Sequence, residues 1–322
     1  MAEKLTIGSR GSKLALTQSN WVADELRSFH PGLEVEIVEI NTTGDAKLGA
    51  SLSEIGGKGA FTKELEDALL ASRCDIAVHS LKDLPTNLPK GLRVVCTPPR
   101  ETTDDSLIYR EPIGTIDDDL EPLQHLSEGA SVGTSSIRRK ALLLALRPDL
   151  KVVEVRGNVD TRLRKLEELG LDALILAGAG LSRLGILDIS PRPDRVDSRF
   201  DSLALKAPAW LPAVGQGALA VESRSDDARV AHLLAALHHA ATFAATAAER
   251  AFLHRLGAGC QAPVAALATA PEGSTLKLWG RVMSLDGTTV VERKAVGRID
   301  EPDELGEEVA DWCLANGADR LL

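Results

Sequence analysis

Leu5-Thr6-Ile7-Gly8-Ser9-Arg10-Gly11-Ser12-Lys13-Leu14-Ala15-Leu16 reads as a short apolar strand, a glycine- and serine-rich turn, and the start of a helix. The helical pattern continues to residue 29 and is closed by His30-Pro31-Gly32, after which 34–40 alternates well enough for a second strand. A strand, helix, strand succession of this kind predicts an α/β unit with a largely parallel sheet. Beyond it, 41–59 reads as a long polar loop rich in Gly, Thr and Ser. A helix is predicted over 60–72 and a strand over 75–79. The same pattern restarts past Thr103-Asp104-Asp105: a strand at Val132, a helix over 137–146, a strand over 152–155, a helix over 159–169 and a strand over 173–176. The switch near 97–105 reads as a hinge between two α/β units of similar size. Past Pro208-Ala209-Trp210-Leu211-Pro212 the style changes to helices over 228–239 and 242–256, strands over 264–268, 276–283 and 288–296, and a last helix over 304–315. The division expected is a discontinuous first domain (1–99 and 200–222), a second, anion-binding domain (100–199) and an α+β third domain (223–322).

Composition narrows the class. A chain of 322 residues exceeds one compact core. Aromatics are sparse, so the core is aliphatic. No apolar run approaches the roughly 20 residues needed to span a bilayer, and the N-terminus enters a strand without a secretory apolar region. The four cysteines are scattered without metal-ligand spacing, so neither a metal nor a disulfide framework is expected, and the compartment expected is a reducing cytoplasm. A net charge of −10 counts against a general nucleic-acid binder. No coiled-coil pattern or extended apolar helix face appears, and a monomer without membrane or nucleic-acid partner is expected.

Charge is distributed unevenly. Between Ser131 and Lys165 nine basic residues face three acidic ones, a local excess of +6. Gly133-Thr134-Ser135-Ser136-Ile137-Arg138-Arg139 puts hydroxyls at a helix N-cap and two arginines in the first turn. Cations there oppose the helix dipole, so the pair calls for something negative beside it. Arg156-Gly157-Asn158-Val159-Asp160-Thr161-Arg162 repeats the design at the next strand-to-helix junction, and in a parallel unit both junctions open on the carboxyl edge of the sheet. Arginine there suits bidentate recognition of carboxylate or phosphate. Arg10-Gly11-Ser12 takes the equivalent place in the first unit. His79-Ser80-Leu81-Lys82-Asp83-Leu84-Pro85 puts a lysine and an aspartate at that same edge, with His79 read as structural or orienting. Gly56-Gly57-Lys58-Gly59 lacks the spacing of a Walker A loop, and Lys58 is read as the tip of a loop over the cleft. Finally, Cys260 sits in Leu256-Gly257-Ala258-Gly259-Cys260-Gln261-Ala262-Pro263. The glycines one and three positions before it leave the sulfur unshielded, and the proline stops a helix from covering it, which favours covalent chemistry.

These motifs, with Asp75-Ile76-Ala77-Val78 before His79, Ala60-Phe61-Thr62-Lys63-Glu64-Leu65-Glu66 after the Gly-Gly-Lys-Gly, and Leu211-Pro212-Ala213-Val214-Gly215-Gln216-Gly217-Ala218, occur in one order from residue 10 to residue 263. As an ordered set they resemble the porphobilinogen deaminase (hydroxymethylbilane synthase) family. The resemblance implies two domains like type-2 periplasmic binding proteins around a cleft, and a smaller C-terminal domain. It implies a transferase that joins porphobilinogen head to tail into a linear tetrapyrrole with release of ammonia. Cys260 would hold a dipyrromethane cofactor by a thioether. Asp83 would contact pyrrole nitrogens and stabilise the cationic methylene-pyrrolenine as ammonia leaves. Ser12, Lys82, Asp83, Thr134, Ser136, Arg138, Arg139 and Arg162 would bind the cofactor. Arg10, Arg156, Arg162 and Arg183 would bind substrate acetates and propionates, with Lys58 and Phe61 in the loop nearby. The physical demands agree: each porphobilinogen carries two carboxylates, so a growing chain needs many cations, and a buried anionic Asp83 is expected to offset them around a carbocation-like centre. Departures from the family pattern are Ala258, where another glycine is frequent, Glu54 before the Gly-Gly-Lys, and Asp160 between Asn158 and Arg162. A non-enzymatic binding protein would leave Cys260, Asp83 and the third domain without a role. A cysteine amidase, with His254 near Cys260, would leave the arginine cleft unexplained.

Overall fold

Helix α1 (Lys13–Phe29) forms because its apolar and small residues recur at helical spacing, burying Ala15, Gln18, Ser19, Val22, Ala23 and Leu26 along one stripe. Ser12 caps it, its hydroxyl accepting from the Ala15 N–H at 3.3 Å. The computed structural model describes residues 3–46, 59, 61–113, 121–189, 193–259, 262–271 and 273–322. In chain order α1 lies between β1 (Lys4–Ser9) and β2 (Glu34–Glu39), followed by α2 (Thr43–Ala46), α3 (Lys63–Leu70), β3 (Ile76–Ser80) and β4 (Leu92–Cys96). Then come β5 (Asp105–Tyr109), β6 (Ser131–Gly133), α4 (Ile137–Leu146), β7 (Lys151–Val153), α5 (Val159–Glu168), β8 (Ala173–Ala177) and α6 (Gly178–Arg183). Short strands β9 (Leu187–Asp188) and β10 (Asp194–Val196) lead to β11 (Phe200–Leu205) and β12 (Leu219–Arg224), then α7 (Ala228–Leu234) and α8 (Ala240–Arg255). The chain closes with β13 (Val264–Thr269), β14 (Thr275–Met283), β15 (Val290–Arg298) and α9 (Pro302–Ala315).

The first sheet has the order β2-β1-β3-β12-β4, with β1 parallel to β2 and β3, and β12 antiparallel between β3 and β4. The second has the order β7-β6-β8-β5-β11-β10-β9, parallel across β7-β6-β8 and antiparallel from β5 onward. A third, antiparallel sheet of β13, β14 and β15 packs against α8 and α9. The chain crosses between the first two sheets twice, through 97–104 and through 206–218. The expected architecture, two α/β lobes and an α+β domain, is the one observed, and the 97–105 switch is the first of the two crossings.

Two expected boundaries move. The 200–222 stretch assigned to the first domain is divided: β11 pairs with β5 in the second sheet, and only β12 returns to the first. The 223–239 stretch expected in the third domain packs on the first lobe, where Val230, Leu233, Leu234 and Leu237 share a core with Leu5, Ile7, Leu26 and Val221. Their side chains are aliphatic and face β-sheet residues, so burial decides the assignment, and a helical period alone carries no information about which sheet it covers. The helix expected over 228–239 stops at Leu234, passes through a 3-10 turn (Ala235–Leu237), and the chain bends by 108° into α8. The third domain's own core runs from Ala245, Ala248 and Phe252 to Leu305, Val309 and Cys313. Among the described residues no single helix is long and apolar enough to cross a membrane.

Candidate active site

Every expected cationic cluster among the described residues lies at the carboxyl end of a strand in one of the two large sheets. Arg10 follows β1, Lys82 and Asp83 follow β3 in a 3-10 turn (Leu81–Asp83), Arg138 and Arg139 follow β6, Arg156 and Arg162 follow β7, and Arg183 ends α6 after β8. This is the edge where an α/β sheet opens its binding crevice. Arg10 stacks over the Phe61 ring at 4.3 Å from its centroid, which joins the turn after β1 to the segment before α3. Lys58 and Cys260 lie outside the described residues, as do Glu54 and most of the 41–59 loop.

The hydroxyls act as the helix-capping pattern requires. Ser136 Oγ accepts from the Arg139 N–H at 3.4 Å, and Thr134 Oγ1 accepts from the Ser136 N–H at 3.1 Å. Accepting these bonds leaves each hydroxyl its own proton to donate. Arg138 and Arg139 are nearly sealed from solvent, at 4% and 5% exposure. The negative group their position calls for is partly internal. Asp105, fully buried at the start of β5, accepts from Arg138 Nη2 at 2.8 Å and Arg139 Nη2 at 2.7 Å. It accepts further from Trp210 Nε1 at 2.7 Å and Gln216 Nε2 at 2.9 Å. Burial alone would raise its carboxyl, but the Arg138 and Arg139 guanidinium groups hold it far below the usual carboxylate range. The other Nη atoms donate to the carbonyls of Leu211 and Ile175. Arg138 Nε and Arg139 Nε are buried and, among the described residues, have no hydrogen-bond partner. Sequence reading missed Asp105 because it stands more than 30 residues before the arginines, beside Asp104 in what reads as a hinge.

Lys82 approaches this cluster from the first lobe, donating to Gln216 Oε1 at 3.4 Å. Burial pushes its ammonium down to about 8; Asp83 and Asp105 oppose the shift, while Arg139 and Arg138 add to it. Arg162, whose Nε donates to the Gly157 carbonyl at 2.6 Å, is pushed down to about 10 by burial and by Arg139, against Asp83. Arg183 is lowered by burial against Glu101, and its Nη2 donates to the Gly217 carbonyl at 2.7 Å, tying the second lobe to the second crossing. Arg156 is held by Glu154 through its Nε and Nη2. Lys82 and Arg162, both desolvated and both opposed by Arg139, mark a site built for added negative charge. Asp83 lies among them and feels both Lys82 and Arg162, but its side chain is exposed, not buried as expected. It stands on a turn whose backbone closes by the Leu84 N–H donating to the Leu81 carbonyl, so the side chain projects from the sheet edge.

His79 is buried inside the first sheet at 6% exposure, its Nε2 3.1 Å from Glu222 Oε2, in keeping with the structural alternative of its reading. Asp160 is exposed in the first turn of α5, where an acid suits the dipole. The loop that carries Cys260 starts from a well-formed helix end. Gly257 takes φ +65, its N–H donates to the His254 carbonyl and the Ala258 N–H to the Leu253 carbonyl, which terminates α8. The other three thiols are buried, and burial pushes them up, Cys74 to about 11, Cys96 to about 12 and Cys313 to about 11, so they are inert at neutral pH.

Two family models match the chain: "Porphobilinogen deaminase, dipyromethane cofactor binding domain" over residues 5–232 and "Porphobilinogen deaminase, C-terminal domain" over 243–315. Proteins named porphobilinogen deaminase from Bacillus cereus (strain AH187) and Bacillus thuringiensis (strain Al Hakam) are each 46% identical over 319 residues, covering 99% of this chain and 97% of theirs. Among solved structures, the BenM effector binding domain with its effector benzoate is 15% identical (TM-score 0.42, 73% of this chain and 90% of that one). The methionine binding protein MetQ is 14% identical (TM-score 0.42, 73% and 89%).

Proposed function

The chain belongs to the porphobilinogen deaminase family, and from that premise we propose how its own residues share the work. The activity is that of a transferase: it joins porphobilinogen units head to tail into hydroxymethylbilane, with release of ammonia, on a dipyrromethane cofactor, within tetrapyrrole biosynthesis. When bound, the dipyrromethane supplies a fixed chain end to which units are added. The described residues fit such a group. Two buried guanidinium groups share one carboxylate and each keep an Nε–H unanswered, and a polycarboxylate is the ligand class that answers them. That pair of orphaned donors carries the reading.

Arg138, Arg139, Lys82, Ser12, Thr134, Ser136 and Arg162 would hold the cofactor's carboxylates, and Cys260 would anchor it through a thioether. Arg10, Arg156, Arg162 and Arg183 would take the acetate and propionate of the incoming unit, with Phe61 and Lys58 beside them. Asp83 accepts from the pyrrole N–H and offsets the positive charge that develops as ammonia departs. Lys82 and Arg162 lie beside it, and bound substrate would screen it from solvent. Cationic side chains alone would oppose that charge, so the carboxylate sits where the reaction needs an anion. We assign a monomer working in the cytoplasm without nucleic acid or membrane, in keeping with the acidic net charge of −10.

Intact mass with peptide mapping tests the anchor. The peptide holding Cys260 is expected to carry two linked pyrroles, and Cys260→Ser to carry none. An unmodified Cys260, even after incubation with porphobilinogen or the linear tetrapyrrole, would overturn the assignment. Asp83→Asn is expected to keep the fold and the adduct and lose turnover by at least about a hundredfold; normal turnover would remove Asp83 from the mechanism.

A further inference from the structure

We infer that Arg250, on the helix that leads into the Cys260 loop, is a positioning residue for Asp83. It acts through the main chain just beyond that aspartate, and the inference rests on the reading of Asp83 given above. Three consecutive carbonyl groups converge on its guanidinium. Nη1 donates to the Leu84 carbonyl at 3.0 Å, and Nη2 donates to those of Pro85 at 2.7 Å and Thr86 at 3.3 Å. The first of these carbonyls is one residue past Asp83. One rigid, planar fork thus fixes the segment into which the catalytic turn runs, which no single-point donor could do.

The fork is itself held. Adjacent positions on a helix point about 100° apart, and the preceding residue, Glu249, serves a different set of partners. Its carboxylate is fully buried and accepts from Arg100 Nη1 and Nη2 at 2.8 and 3.0 Å, the Gly215 N–H at 2.7 Å and the Ala268 N–H at 2.7 Å. Glu249 therefore pins α8 to both crossings and to β13, and Arg250 extends from that fixed point to the 84–86 carbonyls. Burial of Arg250 lowers its pKa, with Glu222 opposing, yet a guanidinium so placed stays charged and a strong donor at neutral pH. From below, Leu81 and Leu84 are seated in a small apolar cluster with Ala218 and Ala220. The turn is held by apolar contact on one side and by Arg250 on the other.

The experiment compares Arg250→Ala, Arg250→Gln and Arg250→Lys with the wild type. It reads kcat and KM for porphobilinogen, intact mass, thermal unfolding, and amide hydrogen exchange of the peptide spanning 81–88. Expected is a fall in kcat of about tenfold or more in Arg250→Ala, since small misplacements near the chemistry are costly. KM should stay within about twofold, the adduct should be retained, and faster exchange should be confined to 81–88. Arg250→Lys should recover part of kcat and Arg250→Gln less. If Arg250→Ala does not fold, the graded loss between the Lys and Gln variants carries the test. Unchanged kcat in the folded variants would overturn the inference. So would exchange that rises across α8 and β3 together while kcat follows the folded fraction. A wild type with an adduct and an inactive Asp83→Asn, beside a fully active Arg250→Ala, would sink this inference alone. A wild type without an adduct, or an active Asp83→Asn, would sink the underlying reading.

Discussion

Asp105 shows how much one carboxylate can organise. It gathers four N–H groups from Arg138, Arg139, Trp210 and Gln216 at a point fully removed from water. Asp105→Ala is expected to destabilise the protein by about 3–5 kcal/mol, because it strands two buried guanidinium groups; denaturant unfolding measures this. Lys82 gives a pH signature. With its folded pKa at about 8 against an ordinary 10.5, the unfolded chain binds more protons between those values. Stability from this group therefore rises with pH across about 8 to 10.5 and is absent below about 8. Binding runs the opposite way: the ammonium that attracts a carboxylate is lost as pH rises through about 8. Cofactor loading of the apoprotein, where no ligand carboxylate faces Lys82, is expected to fall there in the wild type and to stay flat in Lys82→Arg, measured as adduct formation against pH. The arginine pair was legible in the sequence because cations in a first helical turn need an anion. Its partner was not, since no local rule links a strand-initial aspartate to a helix more than 30 residues on. The exposure of Asp83 was likewise invisible, because a motif specifies neighbours along the chain and not the depth of the cleft.

Elements were legible in proportion to their periodicity. α1, α4, α5 and the strands β1, β2, β3 and β8 stand close to where alternation and caps put them. β4, β5, β11 and β12 escaped, being antiparallel strands of five or six residues that mix polar with apolar side chains, a length at which periodicity says little. The third domain depends on a close helix pair. A Cβ on Gly306 of α9 would lie 2.4 Å from the Ala248 carbonyl oxygen and 2.6 Å from the Ala251 Cβ on α8. Gly306→Val is expected to force the helices apart and cost about 1–3 kcal/mol, read by calorimetry. Since α8 carries Glu249 and Arg250, the same variant should lower turnover of the folded fraction.

At the scale of the molecule, the two large lobes are stitched by two crossings, and the third domain touches both: Ala265 and Met283 join the second lobe's core, and Arg250 reaches the first lobe's turn. Sheet order has a consequence for the timing of synthesis. β12, at residues 219–224, is the strand that separates β3 from β4, so β4 has no neighbour in its sheet until that late segment arrives. A nascent chain leaving the ribosome waits for roughly ten seconds, on the order of 130 residues of translation, with a gap in its first sheet. Arrested chains ending near 205 should be digested readily through β4, and chains ending near 240 should resist; equal resistance would mean the first lobe closes without its borrowed strand. The oldest part of the polypeptide is thereby among the later parts to become native, and a ribosome stalled midway would hold out an open sheet edge to whatever chaperone or aggregate meets it first.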